Sequence, residues 1–289
     1  MSIGLSAAAP GEVRDRVHSL RAHAATVTVT EGADPSAAAL EPRIRALAAS
    51  VGDGDGGVGD GGSSGSPALP VIELPAEASH DTLAIILSGD GGWRDLDRTI
   101  GGILQSEGVP TLGLDSLRYF WNKRTAEETA RDLSDLIDRY AAKWGVGNVV
   151  LVGYSFGADV LPATFLALDS DARARVREVS LLGLSPQADW EITVSGWLGS
   201  ASSAATPTAP ALAQLPPGLV QCMYGAAETD SPCPALAAAG AEVIATSGGH
   251  HFDGNYQALA DAILAGLDRR LTAAAPTEPQ APPAAGAAE

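Results

Sequence analysis

The sequence predicts an α/β protein with a mostly parallel sheet and helices on both faces. Three observations predict it. Short apolar runs such as Thr82-Leu-Ala-Ile-Ile-Leu87 and Val149-Val-Leu-Val152 read as strands buried on both faces. Segments with apolar residues at helical spacing alternate with those runs, which implies crossovers between parallel strands. Polar and Gly-rich turns follow several of the strands, and a parallel sheet gathers functional groups at those carboxyl ends.

The chain has 289 residues, enough for one large α/β domain with extensions or for two small domains. Its formal charge of −17 argues against nucleic acid, because phosphate binding needs clustered Lys and Arg. The same charge disfavours spontaneous adhesion to an anionic membrane and tolerates a cationic substrate. No run of apolar residues is long enough to span a membrane. Met1 to Pro10 lacks a basic region followed by an apolar stretch, so no signal peptide is expected in the chain as written. Cys222 and Cys233 pull the other way: a disulfide between them would close a short loop and require an oxidising compartment, the alternative being two buried thiols.

Residues 1–51 read as an amino-terminal appendage of unassigned role, with a short strand at Val27–Thr30. Residues 52–68 are Gly, Asp and Ser almost throughout and read as a flexible linker, since so little side chain cannot offset the ordering entropy. Asp53, Asp55 and Asp60 lack the closing Glu and the repeat of a calcium site. The compact domain is assigned to 69–272 and a disordered Ala/Pro-rich tail to 273–289.

Within the domain, Val71–Leu74 reads as an edge strand stopped by Pro75, and Thr82–Leu87 as a central one. The latter delivers Ser88-Gly-Asp-Gly-Gly-Trp93, whose backbone N–H groups no side chain blocks. A helix from Leu96 to Ser106 ends at Gly108 and Pro110, and Thr111–Leu114 is the next strand. It leads into Asp115-Ser-Leu-Arg-Tyr-Phe-Trp-Asn-Lys-Arg124, aromatic and basic, which includes one of only two lysines. Trp93, Arg118, Tyr119, Lys123 and Arg124 are accordingly candidate substrate contacts. The competing reading packs Phe120 and Trp121 into the core and leaves Arg118, Lys123 and Arg124 solvated. Glu127 to Trp144 is a patterned helix capped by Thr125 and closed by Gly145.

Val149–Val152 then runs into Gly153-Tyr-Ser-Phe-Gly157, and helical spacing resumes with Val160, Leu161, Thr164, Phe165 and Leu168. Strand, Gly-x-Ser-x-Gly and helix together are the sequence form of a nucleophile elbow, which lifts Ser155 above the sheet edge. Further strands are expected at 176–184, 218–224 and 241–245, with an irregular insertion over 195–217 placed to cap the site. A short helix is expected at 235–239 and the last helix at Tyr256–Leu271.

Three polar features sit at strand ends in chain order: Ser155, then Glu228 or Asp230, then His250 or His251. Ser, acid, His is the order of the α/β-hydrolase fold. A serine needs an imidazole to take its proton, and the imidazole needs a carboxylate to hold its tautomer. Asp230 is preferred over Glu228 as the acid for its shorter side chain, with Asp189 a distant third. His250 is preferred over His251, which is left to orient the loop or touch substrate. Phe156 N–H and the loop Gly89, Asp90, Gly91, Gly92 are the expected oxyanion hole. No metal or cofactor is expected.

Five motifs in order carry a family resemblance: Ser88–Trp93, Ser116–Trp121, Gly153–Asp159, Cys222–Gly225 and Gly248-Gly-His-His-Phe-Asp253. Across residues 70–271 the chain resembles the VirJ/AcvB family of bacterial virulence proteins. The resemblance implies an α/β-hydrolase fold, a periplasmic location, and an esterase removing lysine or alanine from aminoacylated phosphatidylglycerol at a membrane surface. By position it implies catalytic roles for Ser155, Asp230 and His250 and a disulfide between Cys222 and Cys233. Arg118, Lys123 or Arg124 would contact the lipid phosphate. The rival readings are a general carboxylesterase or thioesterase, and a non-catalytic partner of envelope or secretion-system proteins on a hydrolase scaffold.

Overall fold

Thr82–Leu87 is buried at every position in the computed structural model, as an apolar strand covered on both faces must be. The structure describes residues 69–193 and 204–274, with two short strands, Ser2–Leu5 and Thr28–Glu31, that pair in parallel. The rest of the amino-terminal appendage, the linker, residues 195–203 of the expected insertion, and the tail from residue 275 lie outside the described residues.

Seven strands form one sheet: β1 (Val71–Leu74), β2 (Thr82–Leu87), β3 (Thr111–Leu114), β4 (Asn148–Tyr154), β5 (Val176–Leu182), β6 (Val220–Gly225) and β7 (Glu242–Thr246). Their order is β7-β6-β5-β4-β2-β3-β1. Every neighbouring pair is parallel except β1 with β3, which is antiparallel at the edge. This order, with the Ser-bearing turn after central β4, is the α/β-hydrolase fold. Four longer helices cover the sheet: α1 (Asp95–Ser106), α2 (Ala126–Trp144), α3 (Phe156–Ala167) and α4 (Tyr256–Ala274).

Side chains of successive residues alternate between two cores, as a period of two requires. Leu83, Ile85, Leu87, Val149 and Leu151 join the core under α2 and α3. Ala84, Ile86, Val150 and Val152 join the opposite core under α1 and α4. Helix α2 forms where apolar residues recur at three- and four-residue steps. Thr125 caps it, accepting from the Glu128 N–H at 3.2 Å, and Gly145 ends it in the left-handed region. Its Leu133, Leu136 and Ile137 are buried, each contributing about 1.5–3 kcal/mol of hydrophobic stabilisation. The same helix secures the edge strand: Tyr140 donates to Glu73 Oε1 at 2.6 Å and Lys143 to Glu73 Oε2 at 2.5 Å.

Among the described residues no helix is long and apolar enough to cross a membrane. The Cys222–Cys233 disulfide is formed, joining β6 to the short helix Cys233–Leu236.

At the end of the sheet opposite the elbow lies a buried ion pair. Glu178 in β5 has no exposed surface and accepts from Arg270 Nη1 at 2.7 Å and from Ser180 Oγ at 2.6 Å. Burial pushes its carboxyl up to about 7 against the pull of Ser180 and Arg270. Replacing Glu178 by Ala leaves Arg270, itself 11% exposed, with the longer 3.2 Å contact to Glu242 as its carboxylate partner and its bonds to the Gly218 and Val220 carbonyls. That change is expected to cost about 3–5 kcal/mol in urea unfolding. Lys143→Ala, at a half-exposed pair, is expected to cost under about 1 kcal/mol. Equal losses would show that burial does not set the worth of these pairs.

Candidate active site

Ser155 sits between the last residue of β4 and the first of α3 with φ 51° and ψ −119°, a conformation L residues rarely adopt. Holding it there costs on the order of 1–3 kcal/mol, and the packing beneath must supply that. Gly153 and Gly157 permit the packing. A Cβ on Gly157 would stand 2.1 Å from the Leu87 carbonyl oxygen, and one on Gly153 would stand 2.5 Å from the Gly157 carbonyl oxygen. The Ser155 N–H donates to the Leu182 carbonyl at 2.8 Å, and its own carbonyl accepts from Asp159 N–H at 3.0 Å.

His250 reaches the serine from the loop after β7. Its Nε2 lies 2.7 Å from Ser155 Oγ, and its Nδ1 lies 2.7 Å from Glu228 Oε1. With the proton on Nδ1, His250 donates to Glu228 and accepts from the serine hydroxyl, a tautomer assigned from the network. The preference for Asp230 is therefore corrected. Right after β6 the chain makes a tight turn in which Glu228 N–H donates to the Gly225 carbonyl at 2.8 Å. Gly225 N–H in return donates to Glu228 Oε2 at 2.8 Å. Glu228 thus faces the histidine at 15% exposure, while Asp230, beyond the turn, is solvent-exposed. Asp189, the third candidate, does not take the place beside His250 Nδ1 either. His251 is exposed, its Nδ1 lying 2.9 Å from Tyr154 Oη.

The loop after β2 is fixed from several sides. Ser88 Oγ accepts from Ser116 N–H at 2.9 Å, Gly92 N–H donates to the Gly89 carbonyl at 3.0 Å, and Arg94 Nε donates to the Gly91 carbonyl at 2.7 Å. Gly92 N–H is thus committed to the turn, and Gly89 N–H is directed at the Asp97 carboxyl, which corrects both as oxyanion donors. Phe156 N–H, at the first position of α3, lacks a helical partner as every first-turn amide does. Asp90 and Gly91 complete the candidate hole.

The proposed substrate contacts divide. Tyr119 is buried and its hydroxyl donates to Asp132 at 2.5 Å, so it is corrected to a core residue. Trp93 turns its ring against Gly101 and Gly113, where added Cβ atoms would lie 3.1 and 2.5 Å away, and it too is a packing residue. The Arg124 guanidinium lies 4.6 Å from the Tyr119 ring centroid and its Nε donates to the Tyr119 carbonyl. It braces that segment. Arg118 and Lys123 are exposed, and Lys123 borders a small recess with Asp189 and Trp190. Phe120 is fully buried 4.9 Å from Phe156, as the competing reading has it.

Sequence reasoning missed two carboxyls and a tyrosine. Asp159, on α3, accepts from Ser185 N–H at 2.7 Å, and burial pushes it up to about 8, with Asp90 and Asp189 adding to the rise. Asp97, on α1, is 2% exposed and its Oδ1 has no hydrogen-bond partner among the described residues. Burial pushes it up to about 8 against the pull of the Arg94 and Gly89 amides. Tyr154 is the residue before the nucleophile. Tyr154 and Asp159 lie inside the Gly153–Asp159 motif, which assigns them no role, and Asp97 has no local signal.

Ser155, His250 and Glu228 form an unbroken relay from a hydroxyl to a carboxylate, able to deprotonate the serine as it attacks a carbonyl carbon. Among the described residues no group of three or more His, Cys, Asp or Glu is placed to hold a metal ion.

Residues 81–271 match the model of a protein family described as bacterial virulence protein (VirJ). No curated protein matches the chain. Solved structures similar to it include Est1E from Butyrivibrio proteoclasticus, with TM-score 0.48 and 13% identity over 70% of this chain and 93% of that one. An esterase from Exiguobacterium antarcticum has TM-score 0.48 and 12% identity over 68% and 94% of the two chains. YbtT, a type II thioesterase of the yersiniabactin pathway, has TM-score 0.46 and 15% identity over 70% and 99%.

Asp97 makes stability depend on pH with a definite sign. Its carboxyl ionises near 3.8 ordinarily and near 8 in the fold. Its contribution is whole below the lower value and is lost as pH rises through the upper, by up to about 1.4 kcal/mol per unit. Asp97→Asn is neutral throughout. Urea unfolding should therefore shift in favour of the variant, relative to wild type, between mildly acidic and mildly alkaline buffer. A difference that does not change with pH would mean that Asp97 is charged in the fold.

Proposed function

Because the chain belongs to the VirJ family of bacterial virulence proteins, and because one histidine bridges its elbow serine and a carboxylate, we propose that it is a serine esterase. Its substrate is the aminoacyl ester of aminoacylated phosphatidylglycerol, lysyl or alanyl, cleaved through an acyl-enzyme. The observation that carries the chemistry is the pair of 2.7 Å contacts of His250, to Ser155 Oγ and to Glu228 Oε1.

In this reading Ser155 Oγ attacks the ester carbonyl while His250 Nε2 takes its proton. Glu228 stabilises the imidazolium through Nδ1. The carbonyl oxygen becomes an oxyanion held by the Phe156 amide and the Asp90–Gly91 turn. Collapse expels the glycerol alkoxide, which leaves as a hydroxyl after receiving the proton from His250. Water, deprotonated by the same imidazole, then attacks the acyl-enzyme and releases the free amino acid.

The substrate is the one that the family resemblance implies, and charge supports it. A cationic aminoacyl group suits a chain of net charge −17, and Asp90 and Asp189 lie near enough to Asp159 to add to the rise that burial gives its pKa. The disulfide beside the acid supports an oxidising compartment, hence a periplasmic site of action close to the lipid.

A fluorophosphonate probe should label the wild type and leave Ser155→Ala unlabelled. Lysyl- or alanyl-phosphatidylglycerol vesicles should release free amino acid, and faster than short acyl esters are cleaved. Vesicle lipid left intact beside cleaved short esters would replace this substrate with a general carboxylesterase reading. A folded wild type that resists the probe would sink the esterase itself. Glu228→Gln should lower kcat by about 10³–10⁴-fold, as loss of the orienting acid does in serine hydrolases. Asp230→Asn should leave it unchanged. The reverse ranking would return the acid to Asp230.

A further inference from the structure

We propose that Tyr154 is a positioning residue: it clamps the histidine loop and the oxyanion loop to the nucleophile elbow, and its hydroxyl keeps His250 in register with Ser155. The proposal rests on the serine-esterase reading and concerns the residue before its nucleophile.

Tyr154 ends β4 and is 8% exposed. Its Oη lies 2.9 Å from His251 Nδ1 and 3.3 Å from the His250 carbonyl oxygen. One hydroxyl proton serves two neighbours without conflict. If His251 carries its proton on Nε2, the tyrosine donates to Nδ1. If Nδ1 is protonated, that N–H donates to Oη and the hydroxyl proton turns to the His250 carbonyl. Oη stays tied to the loop in both states. Burial raises the phenol pKa, so the hydroxyl keeps its proton.

The ring touches the other two parts of the site. Its centroid lies 5.5 Å from that of His250 with the planes 30° apart, and 6.4 Å from that of Phe252. The backbone of Gly89 passes close to it as well: a Cβ there would stand 3.2 Å from Tyr154 Cδ1. One side chain, fixed to the strand that presents the serine, thus contacts the donor loop and the base loop.

The base loop needs such a tie. Phe252 and Asp253 have φ of 53° and 50°, and bonds such as Phe252 N–H to the Gly249 carbonyl and Gly254 N–H to the His251 carbonyl stay inside the loop. Ala227 N–H donates to the Gly248 carbonyl and ties the loop to the acid turn, not to the serine. Phe252 anchors the loop in the core under α1 and α4, but neither that packing nor these bonds by themselves fix an imidazole against a serine on another strand. A misplacement of about 1 Å in a catalytic group costs on the order of a hundredfold in rate.

The test uses the full chain and Tyr154→Phe, which keeps the ring and removes only the hydroxyl. Two rates are read: turnover of an ester that the wild type cleaves, and labelling of Ser155 by a fluorophosphonate. Thermal unfolding checks that the variant is folded. Expected are a fall of about tenfold in kcat at unchanged KM and an equal slowing of labelling. His251→Ala should reproduce part of the loss. His251→Asn, whose Oδ1 falls near the lost Nδ1, should restore rate relative to His251→Ala. Unchanged kcat and labelling in folded Tyr154→Phe, or a loss wholly in KM, overturns the proposal and leaves the esterase standing. If Tyr154→Phe does not fold, His251→Ala decides alone, and a wild-type labelling rate there overturns it. A wild type that neither labels nor turns over removes both readings.

Discussion

Gly157 passes β2 so closely that a single added carbon would stand 2.1 Å from the Leu87 carbonyl oxygen. That contact presses the start of α3 onto the sheet and leaves Ser155 no conformation but a strained one. The strain is useful because it is placed. It lifts Oγ clear of the strand ends, where four parallel strands deliver their loops: β2 the Gly-rich turn, β4 the serine, β6 the acid and β7 the histidine. Parallel register makes these loops neighbours although ninety-five residues separate Ser155 from His250. A side chain at Gly157 would push α3 off β2 and dismantle the alignment from its centre.

Buried carboxyls show how differently one group can be treated in one domain. Glu178 has Arg270 and Ser180 beside it, which offsets much of its desolvation, and it ties α4 to β5. Asp97 and Asp159 have backbone amides instead of cations, and burial prevails, pushing each up to about 8. A neutral carboxyl behind the oxyanion loop has a physical advantage. A full negative charge there would oppose the oxyanion that the loop has to hold.

The fold was legible because its strands are buried on both faces. Such strands are continuous apolar runs, and the seven sheet strands fall within two residues of where the runs end. The elbow and His250 were legible because they carry local patterns. The acid was not. A short side chain seemed better suited to fixed geometry, but that judgement ignored the turn. With Gly225 and Glu228 hydrogen-bonded to each other, the third residue past the strand lies beneath the histidine and the fifth points to water. Tyr119 and Trp93 were misjudged because an aromatic at a strand end looks alike whether it lines a crevice or fills the core. Asp97 had no signal at all, since its burial arises from a loop packed over α1.

The length of the acid can be understood from that same turn. Glu228 uses both oxygens, Oε2 accepting from Gly225 N–H and Oε1 from His250 Nδ1, each at 2.7–2.8 Å. An aspartate at 228 would be one methylene short of spanning the strand end and the imidazole together. Placed at 230, it would begin on the outer arm of the loop and have to cross the turn. The two ends of this segment are pinned, Cys222 within β6 and Cys233 by the disulfide, both fully buried. Pinned ends leave the arm between them to bow outward. The residue that reaches the histidine is therefore the one nearest the strand, with the longer side chain. The bridge thus restrains both ends of the loop that presents the acid, which links the oxidised state of Cys222 and Cys233 to the geometry of His250.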